Sequence, residues 1–440
     1  MQVVIIGAGA AGLTTAMELR RLDKAAEITV LDKADEVGYS PCSLPYVISG
    51  ELGAKGIFHT TAEELADGGI ELIHAEAKRI DRKARRVFFV RNGKEDYAGY
   101  GFLVLATGSV PFIPPIEGIE KARPLTLRRL DDAKRIAAAK GRRVVIIGGG
   151  LAGIEIAAAL RSRGKDVTLL EAVPHLAPLM LDADASMGLE RHLDGLGIRT
   201  LTGCSISKVS DGSVHVNDGK QIPYDTLIVA AGVVPCIRLA KEAGLECSSA
   251  IVADRWMRTS DSRIFACGDC AEVKHFLSQK RHVPQSAVAA VRQAAAVAMN
   301  ISGKAYGTPA PLDASISVAS GLHFGSVGVT AGNAARMGVK TVAASCGGTN
   351  AGRDAQAKEV WVKVVAAGQG IMRGRVIGVQ VVGGRCVPDI INTASLAIGK
   401  GMRLADLEGM ETCYNPAAAP LHHALVTAAR ACMMKLKNSG

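Results

Sequence analysis

The sequence predicts an α/β chain made of two parallel-sheet units of one design, followed by a smaller α+β domain. Three observations carry this. A run of β-branched residues leads into a glycine-rich turn and then a helix at the start of the chain, and the same pattern returns about 140 residues later. Each copy is followed by a second strand that ends on an acid. From about residue 311 the pattern changes to alternating strands and then helices.

Val3 to Ile6 are four β-branched residues in a row, as in a strand buried on both faces. Gly7, Gly9 and Gly12 then stand in the spacing G-x-G-x-x-G before a stretch rich in Ala, Leu and Met. In a dinucleotide site the first glycine makes the tight turn, the second lets backbone approach a pyrophosphate, and the third lets helix pack on strand. The helix N-terminus supplies free N–H groups for the phosphates. Ile28 to Leu31 form the second strand, which ends at Asp32, 20 residues after Gly12, where a carboxylate can hold a ribose 2′-hydroxyl.

Residues 36–46 lack helical periodicity and contain Cys42 beside Pro41. A short helix is expected at 63–67, then strands at Glu71–Ala77 and Arg86–Arg91, with a turn at Asn92-Gly93. Phe102–Leu105 reads as a buried strand entering Ala106-Thr107-Gly108, and Pro111, Pro114 and Pro115 mark a linker. Arg143–Ile147 with Gly148, Gly150 and Gly153 repeats the opening, and the strand Asp166–Leu170 ends at Glu171, 18 residues after Gly153. An acid there, with no arginine in the next several residues, favours NAD over NADP, because it repels a 2′-phosphate. Leu227–Gly232 repeats the 102–108 pattern. Ile264–Ala266 runs into Cys267-Gly268-Asp269-Cys270, and an Ala-rich helix is expected over 285–300. Beyond 311 the sequence predicts a Gly-rich turn at Gly347-Gly348, a strand pair at Val360–Val365 and Val376–Val382, and helices at Pro388–Gly399 and Leu421–Leu436. Two Rossmann-like units in one chain point to electron transfer between two dinucleotides, usually a flavin and a nicotinamide.

Composition bounds the rest. The chain is 48% hydrophobic and 21% charged, as in ordinary soluble proteins, and its 440 residues leave room for two to four domains. No apolar stretch of ~20 residues lacks charge, so no membrane span is expected. Met1 leads directly into a core strand, leaving no signal peptide, so the ten scattered cysteines are expected to be reduced in the cytoplasm. The net charge of +10 comes without a nucleic-acid motif, so nucleic-acid binding is not expected.

Together these stretches resemble the FAD- and NAD(P)-dependent pyridine nucleotide-disulfide oxidoreductases. The resemblance implies an FAD domain in two segments, 1–115 and 248–310, around an NAD domain at 116–247, with a C-terminal interface domain at 311–440. It implies FAD on Gly7, Gly9, Ala10, Ala11, Gly12, Asp32, Lys33, Cys42, Ala77, Ala106, Thr107, Gly108, Gly268 and Asp269. It implies NAD on Gly148, Gly150, Leu151, Ala152, Gly153, Glu155, Glu171 and Gly232, with no metal. Cys42-Ser43-Leu44-Pro45-Tyr46 is similar to the single-cysteine branch of CoA-disulfide reductases and NADH oxidases. The chain departs from that branch at Gly38-Tyr39, where Ser-Phe is usual, and at Leu151, where a tyrosine commonly gates the nicotinamide. Cys42 is then a redox thiol or a packing cysteine, and Tyr414 a proton donor across a dimer interface or a core aromatic. His422-His423 is a relay candidate or an interface pair. The Cys267/Cys270 spacing invites a redox or zinc reading, which is set aside because Gly268-Asp269 already has a flavin role.

A narrower likeness is to the flavoprotein subunits of anaerobic 2-oxoacid dehydrogenase complexes of the phenylglyoxylate type. It implies a subunit reducing NAD with electrons from Fe–S and thiamine-diphosphate partner subunits, because the chain itself carries no cluster motif. The alternative is a stand-alone homodimeric reductase of CoA disulfide or polysulfide, or an NADH oxidase, using Cys42. A third possibility, a non-catalytic flavin scaffold, fits an apparently complete NAD site poorly.

Overall fold

A computed structural model describes residues 1–91, 93–351 and 357–438. Its first sheet is parallel, in the order Ile264–Ala266, Phe102–Leu105, Gln2–Ile6, Glu27–Asp32, Ile70–His74. The strand nearest the C-terminus of this unit therefore lies beside Phe102–Leu105, about 160 residues earlier in the chain. The helices Ala10–Leu22 and Ala287–Ile301 pack together against this sheet. Leu13, Ala16 and Leu19 face inward and Met17 outward, the spacing of a helix with one buried stripe. The second parallel sheet runs Arg199–Leu201, Asp166–Leu170, Arg143–Ile147, Thr226–Val229, with the helix Leu151–Ser162 against it. Each unit also carries a three-stranded antiparallel sheet, Glu76–Gly99 and Ile206–Pro223. The last sheet is antiparallel, in the order Ser315–Ala319, Leu322–Gly328, Val376–Gly383, Glu359–Ala367, Thr341–Thr349. The helices Val387–Lys400 and Ala424–Lys437 cover it.

Four local expectations change. Glu71–Ala77 is two strands, because the Ala75 N–H bonds Asp32 O at 2.9 Å as the chain leaves the parallel sheet, and Glu76–Asp81 then pairs with Arg86–Arg91. Gly347 and Gly348 form no turn. They lie inside Thr341–Thr349, and a Cβ on Gly348 would sit 3.4 Å from Ala424 Cβ, so glycine there lets the last helix approach the strand closely. Pro111 is not in a free linker, since Ser109–Pro111 pairs with Val233–Pro235 and ties the two units together. Leu44–Ser49 is a helix, preceded by a tight turn at Pro41–Ser43. Asn92 lies outside the described residues. Among those described, no helix is long and apolar enough to cross a membrane.

A polar network fixes the second unit to the last domain. Lys363 is buried and places its ammonium 3.1 Å from Asp182 and 2.7 Å from Asp184. Asp182 also accepts from the Ala331 and Gly332 N–H groups and from Gln380 Nε2 at 2.7 Å. Burial opposes the charge on Asp182, but the bonds from Gln380 and Gly332 and the Lys363 ammonium hold its carboxyl below the ordinary value. Lys363→Ala is expected to cost about 3–5 kcal/mol, mostly through Asp182, because Asp184 is half exposed. The depressed pKa means this stabilisation is present above an unfolded value of about 3.9 and is lost as pH falls through the lower folded value. Unfolding midpoints measured against pH should show a fall at acid pH in the wild type that Asp182→Asn removes.

Candidate active site

The strand Gln2–Ile6 ends at Gly7, whose φ of +109° no β-branched residue tolerates and whose Cβ would lie 2.1 Å from Ala106 O. A Cβ on Gly12 would lie 1.7 Å from Gly7 O, so the helix can press onto the turn only with glycine there. Gly9 differs, since nothing lies within 4 Å of its would-be Cβ and no side chain caps the helix that begins at Ala10. The turn thus presents open space in front of free N–H groups at a positive helix end. Asp32 closes it, its carboxylate accepting from the Ala8 N–H at 2.6 Å and the Ala34 N–H at 2.8 Å.

The second copy repeats this geometry. Gly148 has φ +113°, a Cβ on Gly153 would lie 1.9 Å from Gly148 O, and Gly150 again faces open space. Glu171 accepts from the Gly149 N–H at 2.7 Å and the Val173 N–H at 3.0 Å, as Asp32 does in the first unit. Leu151 and Ala152 open the helix, and Glu155 lies in its next turn. The Glu155 carboxylate accepts from Ser317 Oγ at 2.6 Å, and burial raises its pKa against that hydrogen bond.

Gly268 has φ +79°, lies against Ala11, and gives its N–H to the buried Gln293 at 2.8 Å. Asp269 accepts from Ser109 Oγ at 2.8 Å and from Arg128 at 3.1 Å. Thr107 donates to Cys236 O at 2.7 Å, beside Gly108. Gly232 (φ +104°) accepts the Phe112 N–H at 2.9 Å. Cys42 sits on the Pro41–Ser43 turn and is solvent-accessible. Burial and the Glu155 carboxylate raise its pKa, a hydrogen bond from Ser40 lowers it, and Asp269 and Arg128 act in opposite senses. Glu155, Asp269 and Arg128 are therefore each within electrostatic reach of Cys42, although the sequence scatters the four over 227 positions. Lys33 reaches to 3.9 Å from Glu76 on the strand that holds the buried Ala77.

Other expectations end elsewhere. Cys267 and Cys270 are fully buried, Cys270 bonded to Leu105 O at 3.3 Å and Cys267 beside Thr15, and burial raises both thiols. Tyr414 is exposed on the single chain. The buried His423 Nδ1 lacks a hydrogen-bond partner, and burial lowers the pKa of that ring. Gly38-Tyr39 has a structural basis. Gly38 (φ +83°) lies against Thr60 O, and Tyr39 stacks edge-on to Phe58 while its hydroxyl accepts the Leu130 N–H at 3.1 Å. Arg128, Ser109, Gln293 and Ser317 belong to no sequence motif.

Residues 1–294 match the family model described as pyridine nucleotide-disulphide oxidoreductase, and residues 315–429 match that family's dimerisation domain. The chain belongs to the pyridine nucleotide-disulphide oxidoreductase family. As a member of it, the protein is an FAD-dependent NAD(P)H oxidoreductase with FAD and NAD(H) as cofactors and a C-terminal dimerisation domain. The open space over Gly9 and the Asp32 carboxylate fit a pyrophosphate and ribose, as the family requires. It is 34% identical to an NADH oxidase of Methanocaldococcus jannaschii, over 100% of both chains. It is 31% identical to a CoA-dependent NAD(P)H sulfur oxidoreductase of Pyrococcus furiosus, over 98% of each. The structure of an NAD-dependent persulfide reductase from A. fulgidus superposes with a TM-score of 0.95 at 32% identity, covering 100% of this chain and 84% of that one. These relatives do not support the expected phenylglyoxylate-type complex subunit with Fe–S and thiamine-diphosphate partners. They favour the stand-alone oxidoreductase, the alternative raised by the sequence.

Proposed function

We propose that this oxidoreductase is a homodimeric, NADH-dependent reductase of low-molecular-weight disulfides, persulfides or polysulfides, CoA derivatives among them, with Cys42 as its reacting thiol. The observation that carries the reading is the position of Cys42, accessible at the turn and within reach of both Asp269 of the flavin segment and Glu155 of the nicotinamide helix. In this reading residues 1–115 and 248–310 hold FAD and 116–247 hold NAD. Gly7, Gly9, Ala10, Ala11 and Gly12 cradle the FAD pyrophosphate. Asp32 and Lys33, with Ala77, face its adenosine, and Ala106–Gly108 with Gly268-Asp269 face its flavin half. Gly148, Gly150, Ala152 and Gly153 hold the NAD pyrophosphate, Glu171 the adenosine ribose, and Leu151, Glu155 and Gly232 the nicotinamide side.

Bound FAD would supply the two-electron link between NADH and the sulfur substrate. The chain supplies the sulfur chemistry. The Cys42 thiolate attacks one sulfur of R–S–S–R, forming Cys42–S–S–R and releasing RS⁻. Two electrons then cleave that mixed disulfide to the Cys42 thiolate and a second RS⁻. Burial and Glu155 raise the Cys42 pKa, so forming the thiolate calls for a base to take its proton or a cation beside it to stabilise its charge. Ile371, Leu396 and Leu421 are largely exposed on the single chain within the matched dimerisation region, as expected of a surface that a second copy covers. A reducing compartment such as the cytoplasm suits ten free cysteines.

Native mass and an acceptor panel test this together. The expected result is a species near twice 45.8 kDa, free of iron, whose NADH oxidation under nitrogen depends on added disulfide or polysulfide. A large iron-containing hetero-oligomer would return the reading to a complex subunit. Turnover with oxygen alone would make the chain an NADH oxidase.

A further inference from the structure

The nicotinamide site is completed from outside its own domain. Glu155 lies on the helix Leu151–Ser162 of the second unit, but its hydrogen-bond partner Ser317 lies in Ser315–Ala319, the edge strand of the dimerisation sheet. The bond is 2.6 Å, and Ser317 is buried, so no water competes for its hydroxyl. The strand is fixed on both sides. It is hydrogen-bonded along its length to Leu322–Gly328, and its last carbonyl, Ala319 O, accepts from His192 Nε2 at 2.8 Å, on the second unit's helix Ala183–Gly195. The hydroxyl therefore reaches Glu155 from a rigid position rather than from a mobile loop.

We propose that Ser317 is a positioning residue for NADH: it orients the Glu155 carboxylate toward the nicotinamide and so makes the dimerisation domain part of the reducing site. The inference rests on the reading above that Glu155 faces the nicotinamide. A carboxylate free to rotate would leave the dinucleotide cradle at Gly148–Gly153 intact but lose the orientation of the reacting ring, and losses of this kind depend steeply on small displacements. The hydroxyl also opposes the burial that raises the Glu155 pKa, so its removal lets that pKa rise further.

The test uses the FAD-loaded enzyme and a dye acceptor, so that Cys42 plays no part. Ser317→Ala is expected to keep its FAD, raise the NADH KM on the order of ten-fold, and shift the acid limb of the kcat/KM profile to higher pH. Ser317→Thr, which keeps the hydroxyl, should restore both. Glu155→Gln should raise the NADH KM similarly, and the double variant should be no worse than Glu155→Gln alone, because Ser317 acts through Glu155. If Ser317→Ala does not retain FAD, the comparison of Ser317→Thr with wild type and the Glu155→Gln profile carry the test. The proposal fails if Ser317→Ala leaves KM and profile unchanged while Glu155→Gln alters them, or if the two effects simply add. If Glu155→Gln itself changes nothing, the Glu155 reading is at fault instead.

Discussion

Cys42→Ser is expected to lower NADH-dependent reduction of CoA disulfide or polysulfide on the order of 10³-fold or more, since removing a covalent nucleophile deletes the step itself. A serine hydroxyl occupies almost the same space, so the Pro41–Ser43 turn and the helix that follows should be undisturbed. It does not form a thiolate and cannot make a mixed disulfide. NADH-dependent reduction of a one-electron viologen dye needs only the two cofactor sites and should stay at the wild-type level. Parallel assays under nitrogen give the result directly. Equal losses with dye and with disulfide would place Cys42 in flavin packing rather than in sulfur chemistry.

The two open glycines give the second large effect, and they separate the two cofactors. Gly9→Ala and Gly150→Ala meet nothing within 4 Å in the chain, so neither should disturb folding. Each puts a methyl group where the proposed site would hold a pyrophosphate, and overpacking of that kind costs about 1–3 kcal/mol, roughly 10- to 100-fold in affinity. Gly9→Ala should therefore purify as a folded protein depleted of FAD. Gly150→Ala should keep its flavin and show a raised NADH KM. Flavin content from absorbance and the KM for NADH are the readouts. A Gly9→Ala protein with full, tightly held FAD would contradict the assignment of the first turn. Gly12→Ala is a different change, because its Cβ meets Gly7 O at 1.7 Å within the chain, and it should destabilise the fold itself.

The contrast between these glycines explains what the sequence made legible. Backbone geometry demands glycine at Gly7 and Gly12, the proposed pyrophosphate would demand it at Gly9, and both demands write themselves at fixed spacing. The acids Asp32 and Glu171 follow because a second strand of set length carries each to the mouth of its turn. Gly347-Gly348 was misread because close approach of a helix and a tight turn call for the same residue, and only tertiary structure tells them apart. Arg128, Ser109, Lys363 and Ser317 left no trace for another reason. Ser109 and Asp269 are 160 positions apart, and Glu155 and Ser317 are 162 apart. Pairs made by packing whole domains together have no local pattern. Tyr414 and His422-His423 lie in the matched dimerisation domain, and no local pattern around them separates a proton relay from a packing or surface role.

The central claim is that Cys42 carries the substrate sulfur. The most direct measurement treats the FAD-loaded enzyme with CoA disulfide under nitrogen, removes the excess, and follows intact mass and peptide mass before and after adding NADH. Peptide mapping matters because Cys413 is also exposed. The account predicts one CoA per chain, bound at Cys42 and released by stoichiometric NADH. No adduct, an adduct on another cysteine, or a Cys42 adduct that NADH does not discharge would contradict it.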